Sequence, residues 1–188
     1  MNDIVAIMRA ADFAARKHTN LTRKGEQAEP YLNHLIEVAT LVAEATDGHP
    51  DAVIAALMHD AVEDQDVTIE EIAAIFGENV AALVAEVTDD KSLAKQERKN
   101  RQIAHASHKS PDASAIKLAD KTSNLLAIAK SPPPWATDRK RAYVDRASPA
   151  GPAKGSRAVV EGLPHKPAGL LAQFEEAATD RPRKWGSF

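Results

Sequence analysis

Within Ala55-Ala56-Leu57-Met58-His59-Asp60-Ala61-Val62-Glu63-Asp64 an apolar run gives way to four ionisable side chains. On a continuous α-helix His59 and Glu63 lie one turn apart, as do Asp60 and Asp64, so all four can occupy one sector of its surface. An imidazole beside a carboxylate can ligate a divalent metal, and acids one turn farther along can orient or deprotonate a water bound to it. The same residues also suit a helix that simply leaves the core for solvent, and two adjacent ligands fill at most half of a typical coordination sphere. Further ligands have to come from elsewhere. Asp120, in Ile116-Lys117-Leu118-Ala119-Asp120-Lys121-Thr122-Ser123-Asn124, and His34, after Tyr31-Leu32-Asn33, are the candidates. Taken singly, each is explained by capping or helix packing. Together, His34, His59, Asp60 and Asp120 give a two-His, two-carboxylate site drawn from three helices, a donor set that suits Mn2+, Fe2+, Co2+ or Zn2+ better than Mg2+ or Ca2+.

Helices must position these residues, because the apolar spacing along the chain is helical and no alternating strand pattern or internal repeat interrupts it. The expected fold class is all-α. Residues 4–17 read as an amphipathic helix with Ile4, Ile7, Met8, Ala11 and Ala15 inward, followed by a polar loop over 18–30. Asn33 is placed to cap a second helix that turns Leu35, Val38, Leu41 and Val42 inward and is broken by Asp47-Gly48-His49-Pro50. Asp51 then starts the helix carrying His59. Thr68-Ile69-Glu70-Glu71 has capping-box spacing, and Gly77 separates the short helix it opens from one ending near Val87. A charged connection over 88–94 leads to a polar helix over 95–107, and a long apolar helix over 113–129 carries Asp120.

Composition narrows the functional classes. The chain has 188 residues, 44% hydrophobic but only 4% aromatic, which is enough for one domain whose core is mostly aliphatic. With no cysteine, disulfides, thiolate ligands and a cysteine nucleophile are excluded. A formal net charge of −3 provides no general basic field for nucleic acid, so any phosphate-binding surface has to be local. No stretch is long and apolar enough to cross a bilayer, and the start of the chain is not a signal peptide, which predicts a cytoplasmic protein without membrane or nucleic-acid partners. Nothing in the sequence specifies a protein partner or an oligomeric state.

Arg23-Lys24-Gly25, Pro30-Tyr31-Leu32-Asn33-His34, His59-Asp60-Ala61-Val62-Glu63-Asp64 and Lys117-Leu118-Ala119-Asp120-Lys121 follow one another in an order that resembles the hydrolase domain of RelA/SpoT proteins, within the HD phosphohydrolase superfamily. The resemblance is to its stand-alone small alarmone hydrolases of the metazoan type in particular. Val87-Thr88-Asp89-Asp90-Lys91 and Glu97-Arg98-Lys99 extend it; it covers residues 1–147 and resumes near 157–163. Four separated blocks in order are far more specific than an HD dipeptide. The resemblance implies a compact multi-helix HD-domain phosphohydrolase fold, one Mn2+ ion, and hydrolysis of guanosine 3′,5′-bis(diphosphate), ppGpp, or its 5′-triphosphate analogue pppGpp to GDP or GTP and pyrophosphate. It further implies that His34, His59, Asp60 and Asp120 are metal ligands and that Glu63 and Asp64 are the catalytic acidic pair.

Beside that resemblance, Arg23 and Lys24 read as substrate residues, since a polyanionic nucleotide needs local positive charge and an Arg plane can stack on a base. Asn124, one turn beyond Asp120, is expected to hydrogen-bond ribose or phosphate, and Tyr143 to close the nucleotide pocket; helix packing and surface packing are the plainer roles for these two. Lys91, Lys95, Arg98, Lys99 and Arg101 form a basic stretch interspersed with Glu97, read as a solvated face. Two departures from the family pattern stand out. Thr122-Ser123 replaces a bulkier pair, which predicts a larger pocket or altered base recognition. Residues 148–156, rich in Pro and Gly, interrupt what is one terminal helix in relatives and read as a flexible insertion within a single domain over 1–180, with 181–188 a C-terminal tail. The chain has no room for a synthetase region, which predicts hydrolysis without alarmone synthesis. Two other readings keep the same residues: a metal-dependent phosphatase acting on another nucleotide such as NADPH, which would release orthophosphate, and a non-catalytic nucleotide sensor, for which the acidic pair would be superfluous.

Overall fold

In the computed structural model, which describes residues 2–148 and 155–179, eleven α-helices and one 3-10 turn are joined by loops. Thr22 and Pro30 form an isolated antiparallel bridge, and no strand occurs among the described residues. The expected all-α class is therefore observed. No helix is long and apolar enough to cross a membrane.

The central helix is α3 (Pro50–Met58), in which every residue from Ala52 to Met58 is buried. A helix apolar on all sides has to be surrounded. It is packed between α1 (Asp3–Lys17), α2 (Tyr31–Ala45) and α6 (Glu78–Val87), and it also meets α8 (Pro111–Lys130). Leu35, Val38 and Val42 of α2, Leu57 and Met58 of α3, Ile116 and Leu118 of α8 and Phe174 of α11 (Ala168–Thr179) belong to one continuous core. The short α4 (Ala61–Asp64), α5 (Ile69–Phe76), α7 (Lys95–His105), a 3-10 turn (Ala106–His108), α9 (Thr137–Asp145) and α10 (Ser156–Gly162) complete the bundle.

Local signals account for several boundaries. Thr68 Oγ1 accepts from Glu71 N at 3.1 Å, capping α5, and Gly77 at φ 98° separates α5 from α6 in a conformation that a Cβ disfavours. The connection over 88–94 runs between α6 and α7 as expected.

Three expectations are corrected. In α1 Ile7 and Ala11 pack against the core as expected, but the buried residues are Ala10 and Ala14, whereas Ile4 and Met8 are 70% and 62% exposed; small side chains let α1 approach α3 closely, and that contact sets the face. Asn33 caps nothing, because α2 begins two residues earlier at Tyr31, with Pro30 as its N-cap residue and no side-chain cap bond. The helix carrying His59 is not continuous. The His59 imidazole Nδ1 donates to Ala56 O at 2.7 Å, occupying a carbonyl the next turn would use, and α3 ends there. Asp60, at φ −105° and ψ −3°, links it to α4. Of the segment 148–156, residues 149–154 lie outside the described residues, as do 180–188; Gly155, at φ 55°, precedes α10.

Candidate metal centre and its cavity

The first turn of α2, the α3–α4 break and the middle of α8 converge on one point. His34, His59 and Asp120 each bring one ligand atom within 4.8 Å of the others. Asp60 flanks this group: its Oδ2 lies 3.2 Å from His59 Nε2 and 3.7 Å from His34 Nε2, and His34 Nε2 is also 3.7 Å from Asp120 Oδ1. Both histidines are buried, at 2% and 5% exposure, and His59 Nε2 has no hydrogen-bond partner. Its approach to Asp60 is close without being aligned as a hydrogen bond. A buried nitrogen left unpaired beside carboxylate oxygens is costly unless something else completes it, and a divalent cation fits that donor set.

Further hydrogen bonds fix the direction of each donor. His59 Nδ1 carries its proton toward Ala56 O, so in the neutral ring the lone pair sits on Nε2. Ser123 Oγ donates to Glu37 Oε2 at 2.5 Å; with its one proton committed there, Ser123 must accept from His34 Nδ1 at 2.8 Å, which leaves the His34 Nε2 lone pair facing Asp60 and Asp120. Tyr31 donates its hydroxyl to Asp60 Oδ2 at 2.5 Å. Asp120 accepts from Lys121 Nζ at 2.9 Å and from Asn124 Nδ2 at 2.5 Å.

The electrostatics favour positive charge at this point. Burial and the neighbouring His59 push the His34 imidazole down to about 4, against the pull of Asp120 and Asp60, so it is neutral. Burial also opposes charge on His59, but Asp60, Asp120 and the Ala56 carbonyl outweigh it and lift that ring to about 9. Burial alone would raise both aspartates; instead His59, His34 and the Tyr31 hydroxyl hold Asp60, and Lys121 with both histidines holds Asp120, well below the usual carboxylate range. Two ionised carboxylates that draw a proton onto a buried ring will equally attract a metal cation.

Glu63 and Asp64 leave this cluster in different directions. Glu63 Oε1 accepts from Asp89 N at 2.7 Å, and burial pushes its carboxyl above the ordinary range despite that bond. Asp64 is bonded by Lys91 Nζ, which also reaches Glu63 O at 2.5 Å, and it lines a cavity of about 460 Å3.

Arg23, Lys24, His34, Asn124 and Tyr143 line the same cavity, so all four expected substrate residues share it with a residue of the His/Asp cluster. They are not equivalent. The Arg23 guanidinium is engaged by the protein, donating to Ser123 O and Asn124 Oδ1, both at 3.3 Å, and pairing with Glu37 at 3.4 Å. Asn124 bridges Asp120 to Arg23, so its amide is used within the wall. Lys24 is exposed and has no partner among the described residues. Tyr143 is half-buried beside Trp135, 6.1 Å between ring centroids, and burial raises its hydroxyl. Thr122 and Ser123, expected to enlarge the pocket or alter base recognition, are both fully buried and neither lines the cavity. Thr122 Oγ1 returns to Leu118 O, and Ser123 joins His34, Glu37 and Arg23 behind the wall.

Sequence reasoning missed Tyr31, Glu37, Ser123, Lys91 and Trp135. A signal existed for three of them. Tyr31 and Glu37 stand three residues either side of His34, and Ser123 three beyond Asp120, spacings that place side chains on one helix face.

Residues 10–145 match the HD domain family. The chain is 42% identical over 179 residues to guanosine-3′,5′-bis(diphosphate) 3′-pyrophosphohydrolase MESH1 of Homo sapiens, covering 94% of this chain and 92% of that one. It is 45% identical over 138 residues to the MESH1 enzyme of Drosophila melanogaster, 72% of this chain and 77% of that one. A solved structure described as a metazoan ortholog of SpoT that hydrolyses ppGpp superposes with a TM-score of 0.82 at 39% identity, covering 92% of this chain and 93% of that chain.

Proposed function

The chain belongs to the HD domain family, and we propose that it is a guanosine 3′,5′-bis(diphosphate) 3′-pyrophosphohydrolase, cleaving ppGpp or pppGpp to GDP or GTP and pyrophosphate. One observation carries this reading: a buried His/Asp donor cluster opens on a cavity that also holds Arg23, Lys24, Asn124 and Tyr143. The MESH1 relatives, named for that reaction and similar over most of the chain, support it.

The HD domain implies a divalent metal ion, and the proposal assigns its binding to His34, His59, Asp60 and Asp120, with Mn2+ as the ion. A divalent ion held there would supply an acidified water and a polarised phosphoryl oxygen. The protein's own groups do the rest. Glu63 is held by one oxygen to Asp89 N, which leaves its other oxygen to receive a proton; raised by burial, it is a stronger base than a solvent-exposed glutamate. Asp64, charge-compensated by Lys91, faces the cavity and orients the attacking water. Lys24 offers an unpaired ammonium to phosphate, and Arg23, pinned by Ser123, Asn124 and Glu37, presents a preorganised guanidinium plane. Tyr143 and Trp135 close the cavity as apolar walls suited to a base and ribose.

The test is to incubate metal-stripped protein with guanosine 3′,5′-bis(diphosphate), with and without Mn2+, and to resolve the products. GDP and pyrophosphate formed only with metal are expected. Unchanged substrate across a series of divalent ions, or release of orthophosphate instead, overturns the proposal.

A further inference from the structure

A second cavity, of about 510 Å3, lies between the end of α6, the 88–94 connection, α7 and the start of α8. Its wall contains four cations, Arg98, Arg101, Lys109 and Lys117, and three carboxylates, Glu86, Asp89 and Asp90. The near balance in number conceals an imbalance in bonding. Each acid is already engaged: Glu86 Oε2 accepts from Ser110 N at 2.9 Å, Asp89 accepts from Gln102, and Asp90 Oδ1 accepts from Ser92 N at 2.9 Å and from Ser92 Oγ.

Two of the cations are not. Lys117 is buried to 8% exposure and makes no hydrogen bond among the described residues; its one ion pair, to Asp89 Oδ1, spans 4.0 Å. Arg98 is half-buried, has no carboxylate partner, and its Nε is fully buried without an acceptor. Lys109, which donates to Glu86 O, is pushed down by burial and by the nearby Lys117, so two ammonium groups share this space. Desolvated donors without acceptors are costly, and a tetrahedral oxyanion satisfies several of them at once.

We propose that this second cavity is a binding site for a phosphate group, held by Arg98, Lys109 and Lys117. It is separate from the nucleotide cavity, since none of its lining residues is shared with it. It is nevertheless mechanically linked to the acidic pair: Asp89, whose side chain faces Lys117, donates its backbone N–H to Glu63. An anion that takes Lys117 from Asp89 therefore acts on the residue that anchors Glu63.

The experiment uses the 15N-labelled full chain loaded with Zn2+, titrated with inorganic phosphate and followed by NMR at the Arg98 Nε and Asp89 amide resonances. Saturable shifts at both are expected, with a dissociation constant in the millimolar range or below, raised about tenfold by Arg98→Gln and, independently, by Lys109→Gln. Arg23→Gln, in the other cavity, should leave these shifts and their midpoint unchanged. Both Arg98 and Lys109 have solvent access, so their variants keep the fold, which the dispersion of the same spectra verifies. No shift at these resonances up to about 10 mM phosphate, or shifts that both variants leave intact, overturns the proposal. Because binding alone is read, a negative result here leaves the hydrolase assignment standing, and a failure of turnover leaves this site standing.

Discussion

The His/Asp cluster and the 18–30 loop that faces it are built on opposite principles. In the cluster the donors come from helices or their ends, and each is held by a further hydrogen bond: His34 by Ser123, His59 by Ala56 O, Asp60 by Tyr31, Asp120 by Lys121 and Asn124. The loop is fastened to α8 and its C-terminal end by few bonds, chiefly Glu26 N to Pro132 O at 3.3 Å, Gln27 N to Ser131 Oγ at 3.1 Å, and the Arg23 guanidinium. Bond-making chemistry tolerates little misplacement and sits on supported elements, whereas ligand capture by charge tolerates more and can sit on a loop.

That contrast predicts a graded series of effects. The largest follows from removing the cation: chelation should bring pyrophosphate release from ppGpp down to background, with recovery on adding Mn2+, and turnover that persists in chelator would mean the cluster is not where the chemistry occurs. Glu63→Gln should lower kcat by about 10²–10⁴-fold while metal binding, measured by calorimetry, stays intact; a change confined to KM would assign Glu63 to recognition instead. Ser123→Ala removes the acceptor that orients His34, and should weaken metal affinity by about 10–100-fold, with Ser123→Thr recovering part of the loss. Equal affinities in all three forms would show that the support behind His34 is dispensable.

The smallest effect belongs to the loop. A Cβ at Gly25 would collide with Ser131 Oγ and meet Ser131 O at 2.5 Å, and the second of these is backbone that cannot rotate away. Gly25→Ala should therefore lift the loop from α8, raising KM about tenfold with kcat little changed and Tm lowered by no more than about 4 °C. If kcat collapses together with KM, the loop and cluster are one mechanical unit, and the division drawn between them fails.

Much of the scaffold was readable because local chemistry decides it: the Thr68 cap, the Gly77 break and the charged 88–94 connection all fall where residue types require them. The site was readable as a list of residues, since His34, His59 and Asp120 do meet and the four substrate candidates do share a cavity. Its internal wiring was not. The break after His59 arises from a side chain taking a backbone carbonyl, a competition that helical periodicity does not register. The α1 face was legible only in part: Ile7 and Ala11 meet the core, but tight packing on α3 selects Ala10 and Ala14 over the larger Ile4 and Met8. Ser123, which reads as a mere reduction in bulk, proves to be the hydrogen-bond junction of His34, Glu37 and Arg23, a role visible only once α2 and α8 are side by side.

Trp135 forms part of the cavity wall, with the Arg139 guanidinium 4.2 Å from its ring centre and Tyr143 on its flank. The chain contains two tryptophans and two tyrosines, and three of these four rings, Trp135, Tyr31 and Tyr143, line this one chamber. Part of its ultraviolet emission, that of Trp135, therefore arises where a guanine would enter, and the arrival and departure of a nucleotide can be followed by that light in the unlabelled molecule.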